Sequence, residues 1–454
     1  MISRRNFLKT AAVAPLVLSS RVRGQSTPGP NSQINVAVVG LGGRAQEIVA
    51  TCLGIPELRV AAVCDCFAPR LNSSLKALAD KDITCAGYLD YQEMLEKERL
   101  DGIMAITTTH ARAWVSCLAM AAGLDVYIEK PMCLTIAEGR EMVKLARHYK
   151  CVTQVGTQQR SMPLNNWASD LVKNGAIGKL KAAHVPDFIS PLTWQPKPAE
   201  SPPDGGRADW WDVWLNQTPL LPYHSELHRG WAQWDAYDGG GISFGVTGWG
   251  THSYDQLQRG LGTDLTGPVE ITLEEEVQDR PACPDKTRQP GENETGAPYY
   301  GMVLNTTGPR ARVSMRFANG TPVYFTFDGN NGPGLGAVFE GEDGIIEINR
   351  DRIYSTRQDL VADPSNPGPL SVPETQPHIE NWLQCMKTRE KCNADVEIGQ
   401  RSTTLCYLIN IVRKIGLVNK PLHWDPETEK FTDCDEANAF LARERRPAYE
   451  LPTI

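Results

Sequence analysis

The chain has 454 residues, of which 41 % are hydrophobic and 22 % charged, with a net charge of −8. That length allows two or three domains with real cores, and the composition is that of an ordinary soluble globular protein. No apolar run approaches the ~20 residues of a membrane helix, and the absence of Lys/Arg blocks argues against a nucleic-acid partner.

The chain opens on Arg4, Arg5, Asn6, Phe7, Leu8 and Lys9, followed by a short apolar run over residues 11–18. A charged head before a weak hydrophobic stretch reads as an export signal of the twin-arginine type, with cleavage near Gly24. Residues 1–24 carry five basic and no acidic residues, so their removal would take the net charge from −8 to −13. The expectation is a periplasmic or otherwise exported protein with no membrane segment after cleavage. Twin-arginine export moves folded proteins, often with a cofactor already loaded. Residues 25–33 read as a flexible linker.

Twelve cysteines could imply disulfides in an exported protein. Seven of them (Cys52, Cys64, Cys66, Cys85, Cys117, Cys133 and Cys151) lie mostly within apolar patterns and read as small buried hydrophobes. Cys64 and Cys66 lack metal-ligand spacing, and no metal site is expected.

Residues 34–39 read as a fully buried strand, followed at once by Gly40, Leu41, Gly42, Gly43, Arg44 and Ala45 and a helical run to Cys52. Gly40 and Gly42 permit a tight turn and a close approach to a pyrophosphate, which the helix N-terminus then faces. A second strand over 58–63 leads to Asp65, 25 residues after Gly40. A carboxylate there accepts hydrogen bonds from a ribose diol and repels a 2′-phosphate, favouring NAD over NADP, although nearby Arg70 tempers that preference.

Helices are expected over 68–79, 91–98, 109–122 and 137–149, and strands over 102–107, 125–129 and 152–156. This alternation predicts a doubly wound parallel sheet with its ligand at the C-terminal strand edge. Thr107, Thr108, His110, Gln158 and the pair Glu129–Lys130 all fall at that edge. A lysine where a buried strand opens into a loop can be partly desolvated and so fitted for acid/base work.

The glycine turn, Asp65, the threonine-rich strand end with His110, the segment Val126–Tyr127–Ile128–Glu129–Lys130–Pro131 and the run from Gln154 to Ser161 carry a likeness. Together they resemble the glucose–fructose oxidoreductase, inositol dehydrogenase and MocA (Gfo/Idh/MocA) family, from about Ile34 to the C-terminus. The resemblance implies an N-terminal Rossmann domain over 34–157 and a C-terminal α+β domain over 158–454, with a large open, mainly antiparallel sheet. It also implies an NAD(P)-dependent oxidoreductase acting on a small carbohydrate, and a homo-oligomer.

After Arg160 the alternation breaks. A helix over 164–174 and a strand over 180–188 precede an insert rich in tryptophan (Trp194, Trp210, Trp211, Trp214, Trp231 and Trp234). These indoles either stack on sugar faces or pack the domain's own core and lid, and the sequence weighs the two equally. Next come Gly239, Gly240 and Gly241, and then a helix carrying His252 and Asp255. By the resemblance, His252 lies beside the substrate with Lys130, and Asp255 matches a later family aspartate. The aspartate expected four residues before the histidine is Gly248. Strands are expected over 269–276, 300–305, 310–317, 322–327 and 336–349, and helices over 378–388 and 398–414. The segments 395–402 and 423–438 are expected to pack the two domains together.

The candidate catalytic residues are therefore Lys130, His252 and Asp255. The candidate cofactor residues are Gly40, Gly42, Gly43, Arg44, Asp65, Arg70, Thr107, Thr108, His110, Glu129, Lys130 and Gln158. Free NAD is scarce outside the cytoplasm, so an exported enzyme calls for a nicotinamide that stays bound and is reset in place. The first reading is a sugar or polyol oxidoreductase with tightly bound NAD(H). The alternative, kept open by Gly248, is a redox-neutral NAD-dependent glycosidase or keto-sugar lyase or hydrolase. A non-catalytic sugar-binding protein is a third reading, which intact Gly40, Gly42, Asp65 and Lys130 disfavour.

Overall fold

A computed structural model describes residues 33–242, 245–281, 293–296, 307–326 and 335–454. The export signal, nearly all of the linker, Cys283 and the strand expected over 300–305 lie outside the described residues.

Strands β1 (Ile34–Val39), β2 (Leu58–Cys64), β3 (Ala86–Tyr88), β4 (Gly102–Ala105), β5 (Asp125–Ile128) and β6 (Thr153–Val155) form a six-stranded sheet in the order β3-β2-β1-β4-β5-β6. All its pairings are parallel. β4 and β5 are buried at every position, as strands covered on both faces must be. The sequence reading missed β3, whose three residues around Gly87 are too short for any periodicity to show. Helices α1 (Gly43–Cys52), α2 (Ala68–Ala79), α3 (Tyr91–Lys97), α4 (Thr109–Ala121) and α5 (Ile136–His148) connect the strands. Asp90 caps α3 by accepting from the Gln92 and Glu93 N–H groups, and Thr135 caps α5 through the Glu138 N–H. Each such cap stabilises its helix by about 1 kcal/mol.

The C-terminal part is built on a ten-stranded mixed sheet. Its longer strands are β7 (Leu180–Val185), β8 (Pro268–Leu273), β9 (Val313–Phe317), β10 (Pro322–Phe325), β11 (Ala337–Gly341), β12 (Ile345–Asn349), β13 (Arg352–Ser355) and β14 (Leu422–Asp425). They run in the order β13-β12-β11-β7-β10-β9-β8-β14, with Glu294–Gly296 outside β13 and Lys430–Phe431 outside β14. Only the β7–β10 pairing is parallel. One face carries α6 (Pro163–Lys173), α7 (Trp249–Leu261) and α9 (Val396–Ile415), and a continuous apolar core lies between them and the sheet.

Helix α8 (Gln376–Thr388) returns to the first domain. Its Ile379, Trp382 and Leu383 join the apolar layer of β1, α1 and α2, and the Trp382 ring sits so close to Gly102 that a Cβ there would be 3.0 Å away. The closing segments join the domains as expected. Gln400 on α9 donates to the Ile136 carbonyl at 3.0 Å, and Arg140 bridges Glu397 (2.5 Å) and Glu429 (2.8 Å). The tryptophan insert forms a small core of its own, in which Trp210, Trp214, Tyr223, Trp234 and Tyr237 are buried. The eleven described cysteines are all unpaired.

Candidate active site

β1 runs into Gly40, whose φ of +86° is open at low cost only to glycine. A Cβ there would also stand 2.7 Å from the Ile106 carbonyl oxygen and the Thr107 backbone, so the turn is pressed against the end of β4. Gly42 and Gly43 differ, because a Cβ on either would meet nothing within 4 Å. Gly42 precedes α1 without any side-chain cap. The first N–H groups of α1 are therefore left for a ligand, the arrangement that receives a phosphate.

Gly40, Gly42, Gly43, Arg44, Asp65, Arg70, Thr107, Thr108, Glu129 and Lys130 all line one cavity of about 390 Å³. Trp214 and Trp231 of the insert border it too, while the other indoles mainly pack against one another. Asp65 accepts the Leu41 N–H on one carboxylate oxygen and the Phe67 N–H on the other, both at 2.9 Å. Burial raises its carboxyl, against the pull of those two N–H groups and Arg70. Each oxygen keeps a lone pair for a ribose hydroxyl. An open phosphate cradle with a fixed carboxylate at the end of β2 fits NAD.

At the other end of the cavity, Glu129 accepts from Arg44 Nε at 3.0 Å and from the Lys130 N–H at 2.9 Å. Burial alone would raise its carboxyl, but Arg44, Lys130 and Arg112 outweigh that and hold it below the usual value. The Lys130–Pro131 peptide is cis. Lys130 Nζ donates to the Gly248 carbonyl at 3.1 Å. Burial lowers the proton affinity of Lys130, despite the opposing charges of Glu129 and Asp238. His252 lies in α7 and is buried; burial, then the charges of Arg350 and Lys130, hold its pKa well below that of a free imidazole. It is neutral, and its Nδ1 has no hydrogen-bond partner.

Gly248 has a structural reason. A Cβ there would stand 2.0 Å from the Ile242 carbonyl oxygen, so no aspartate fits this backbone. An acid reaches the site from elsewhere. Asp238 lines the same cavity, is fully buried, and its two oxygens accept from the Thr109 and Thr247 hydroxyls. Burial raises its carboxyl, while those hydroxyls, Arg112 and Lys130 pull the other way. Asp238 was not singled out in the sequence, although an acid directly before three glycines was a usable signal. Arg112 gave none. Its guanidinium donates to the Thr107 and Pro131 carbonyls and ties the ends of β4 and β5 together.

Four expected site residues stand outside the cavity wall, His252 among them, buried in α7. Asp255, one helical turn beyond His252, accepts from Arg160 Nε at 2.8 Å on both oxygens and from Ser402 at 2.6 Å. It is a buried ion pair inside the second domain, with no free oxygen edge for proton transfer. His110 does not line the cavity; its Nε2 pairs with the Trp214 carbonyl at 2.8 Å and its ring packs on Trp214 and Tyr237. Burial takes its pKa down to about 4, and it fastens α4 to the tryptophan insert. Gln158 donates to Glu374 at 2.9 Å and also lies outside the cavity wall.

A parallel sheet with a glycine cradle, an acid at the end of β2 and a desolvated lysine at the end of β5 define a chain of two domains whose first is an NAD-binding Rossmann domain. The "Oxidoreductase family, NAD-binding Rossmann fold" model matches residues 34–157, and the "Oxidoreductase family, C-terminal alpha/beta domain" model matches 171–297 and 302–451. The chain belongs to the Gfo/Idh/MocA oxidoreductase family. A "Glycosyl hydrolase family 109 protein" of Shewanella pealeana is 22 % identical over 240 residues, covering 46 % of this chain and 51 % of that one. The chain thus spans about half the length of the curated relatives it matches.

Among solved structures, the WlbA dehydrogenase from Bordetella pertussis, in complex with NADH and UDP-GlcNAcA, superposes with a TM-score of 0.57 at 14 % identity, over 87 % of this chain and 99 % of that one. The aldose-aldose oxidoreductase from Caulobacter crescentus, complexed with glycerol, gives 0.55 at 15 % identity, over 86 % and 99 %. At these identities the likeness is one of fold.

Proposed function

We propose that the protein oxidises a secondary alcohol of a sugar, polyol or glycoside and keeps its NAD(H) bound between turnovers. The observation that carries this reading is Lys130: it lies in the wall of the NAD cavity, with its proton affinity lowered by burial and neutral His252 within its field. As a free amine, Lys130 takes the hydroxyl proton while hydride leaves the same carbon. When bound, NAD supplies the hydride acceptor. His252 offers its unpaired Nδ1 to the reacting oxygen. Asp238 holds negative charge toward Lys130, in place of the missing aspartate at 248. Glu129 is held by Arg44 and the Lys130 N–H, so it orients the loop rather than reacting. Fold neighbours solved with UDP-GlcNAcA, or named an aldose-aldose oxidoreductase, support the carbohydrate part of the proposal.

The twin-arginine pattern at Arg4 and Arg5 supports an exported enzyme, for which a retained cofactor is the consistent arrangement. We extend the proposal to a homo-oligomer paired through the outer face of the ten-stranded sheet, where Arg316 and Tyr324 are exposed.

A second reading, a redox-neutral NAD-dependent glycosidase or keto-sugar lyase, is supported by Gly248 and by the glycosyl hydrolase family 109 relatives. One preparation tests both. The purified protein should release NAD(H) on denaturation and show a rise in nicotinamide absorbance with at least one member of a sugar and polyol panel. Protein without nicotinamide would end the retained-cofactor scheme. Release of nitrophenol from a nitrophenyl glycoside, requiring NAD but leaving no net NADH, would favour the second reading.

A further inference from the structure

Arg350 follows β12 directly and faces a role that the cofactor does not fill. The hairpin that carries it is fixed: the Arg350 N–H donates to Asn349 Oδ1 at 2.8 Å, and the Asp351 N–H to Asn165 Oδ1 at 2.8 Å. Its guanidinium is fixed from one end only. Nη1 donates to Glu374 at 3.0 Å, and the same Glu374 oxygen takes the Gln158 amide at 2.9 Å. The other edge, Nε with Nη2, is buried and has no hydrogen-bond partner.

A buried guanidinium edge left unpaired is costly, and structures keep such an edge where a ligand satisfies it. Arg350 is not part of the NAD cavity wall, so the pyrophosphate is not that ligand. Its charge is the strongest acting on His252 and also bears on Lys130. Thr375, next to its partner Glu374, accepts from Arg44 Nη2 of the cavity wall at 3.3 Å, which brings Arg350 to the end of the cavity that holds Glu129 and Lys130, and both Arg350 and His252 keep buried nitrogens without a hydrogen-bond partner.

The geometry of a guanidinium decides what fits. The Nε and Nη2 hydrogens are parallel and match the two oxygens of a planar carboxylate, whereas one hydroxyl satisfies only one of them. Glu374 neutralises the far end of Arg350 and Glu129 is already paired with Arg44, so neither carboxylate closes the free edge. We propose that Arg350 is the carboxylate receptor of the substrate site, and that the substrate is a sugar acid, a hexuronate or hexonate, bound through its carboxylate with a neighbouring hydroxyl presented to Lys130. This rests on the oxidoreductase reading of Lys130 and His252, and the test separates the two.

The test is calorimetric titration of the NADH-loaded protein with D-glucuronate, D-galacturonate and D-gluconate, with D-glucose, D-galactose and sorbitol as neutral counterparts and D-glucose 6-phosphate as a third arm. At least one sugar acid should bind about tenfold or more tightly than its counterpart, and Arg350→Leu should weaken that acid on the order of 30-fold while leaving the neutral sugars and NADH within about threefold. Arg350→Lys, which keeps the charge without the fork, should recover only part of the loss. Equal loss for acid and neutral sugars, tighter binding of the sugar phosphate than of every acid, or no acid preference in the native protein overturns the receptor.

The NAD-loaded protein, followed at the nicotinamide absorbance with the same compounds, reads the other claim. Arg350-dependent acid binding without any hydride transfer would leave the receptor standing and end the oxidoreductase reading. Reduction by neutral sugars alone would do the reverse.

Discussion

Lys130 must hold a proton long enough to bind beside Glu129 and lose it readily enough to act as a base. Burial pushes its proton affinity down, and Glu129 and Asp238 push it back up. Removing the Asp238 charge therefore has a definite sign. Asp238→Asn keeps one of the two threonine bonds through its carbonyl oxygen and can donate its amide to the other hydroxyl, yet takes away a charge that favours the ammonium. The limb of kcat/KM that rises with pH, as Lys130 loses its proton, should move to lower pH by about half to one unit. An unmoved limb would show that Asp238 does not act on Lys130. The site chemistry was only partly legible at this scale. Lys130 and His252 stood out by type and place. Asp255 did not behave as its match implied, because Arg160, read in the sequence only as part of the run from Gln154 to Ser161, takes both of its oxygens.

At the scale of elements, the segment from Gly239 to α7 carries Gly248 where the family resemblance implied an aspartate. Its backbone folds back so that Gly248 lies under the Ile242 carbonyl, and the Gly248 carbonyl becomes the acceptor for Lys130. Restoring the usual aspartate should therefore harm the protein. Gly248→Asp should cost about 2 kcal/mol or more in unfolding free energy and lower turnover, since the new Cβ displaces backbone rather than a side chain. A stable variant with higher turnover would mean that the segment tolerates the family arrangement.

The alternation of buried strands and helices made the Rossmann half readable, and β1 with its glycine turn needed nothing more than Gly40 and Gly42 in sequence. β3 was too short to show a period. The part of α8 that completes the first domain's core could not be read locally, because Trp382 meets Gly102 across 280 residues of chain. Arg350 was likewise hidden, as a hairpin arginine has no pattern that distinguishes it from a solvated one.

For the molecule as a whole, the two domains meet through α5, α8 and α9, so the NAD cavity is walled by the first domain and roofed by segments of the second. That arrangement suits a cofactor that stays in place. It also makes Lys130 the point at which both domains act on one atom: the loop after β5 carries it, and Gly248 and Asp238 of the second domain set its surroundings. The most direct measurement is single-turnover reduction of bound NAD by the best sugar from the panel, comparing native protein with Lys130→Met. The account predicts a fall in rate on the order of 10²–10⁴-fold, with NAD content and affinity essentially unchanged. Reduction at the native rate in the variant would contradict it.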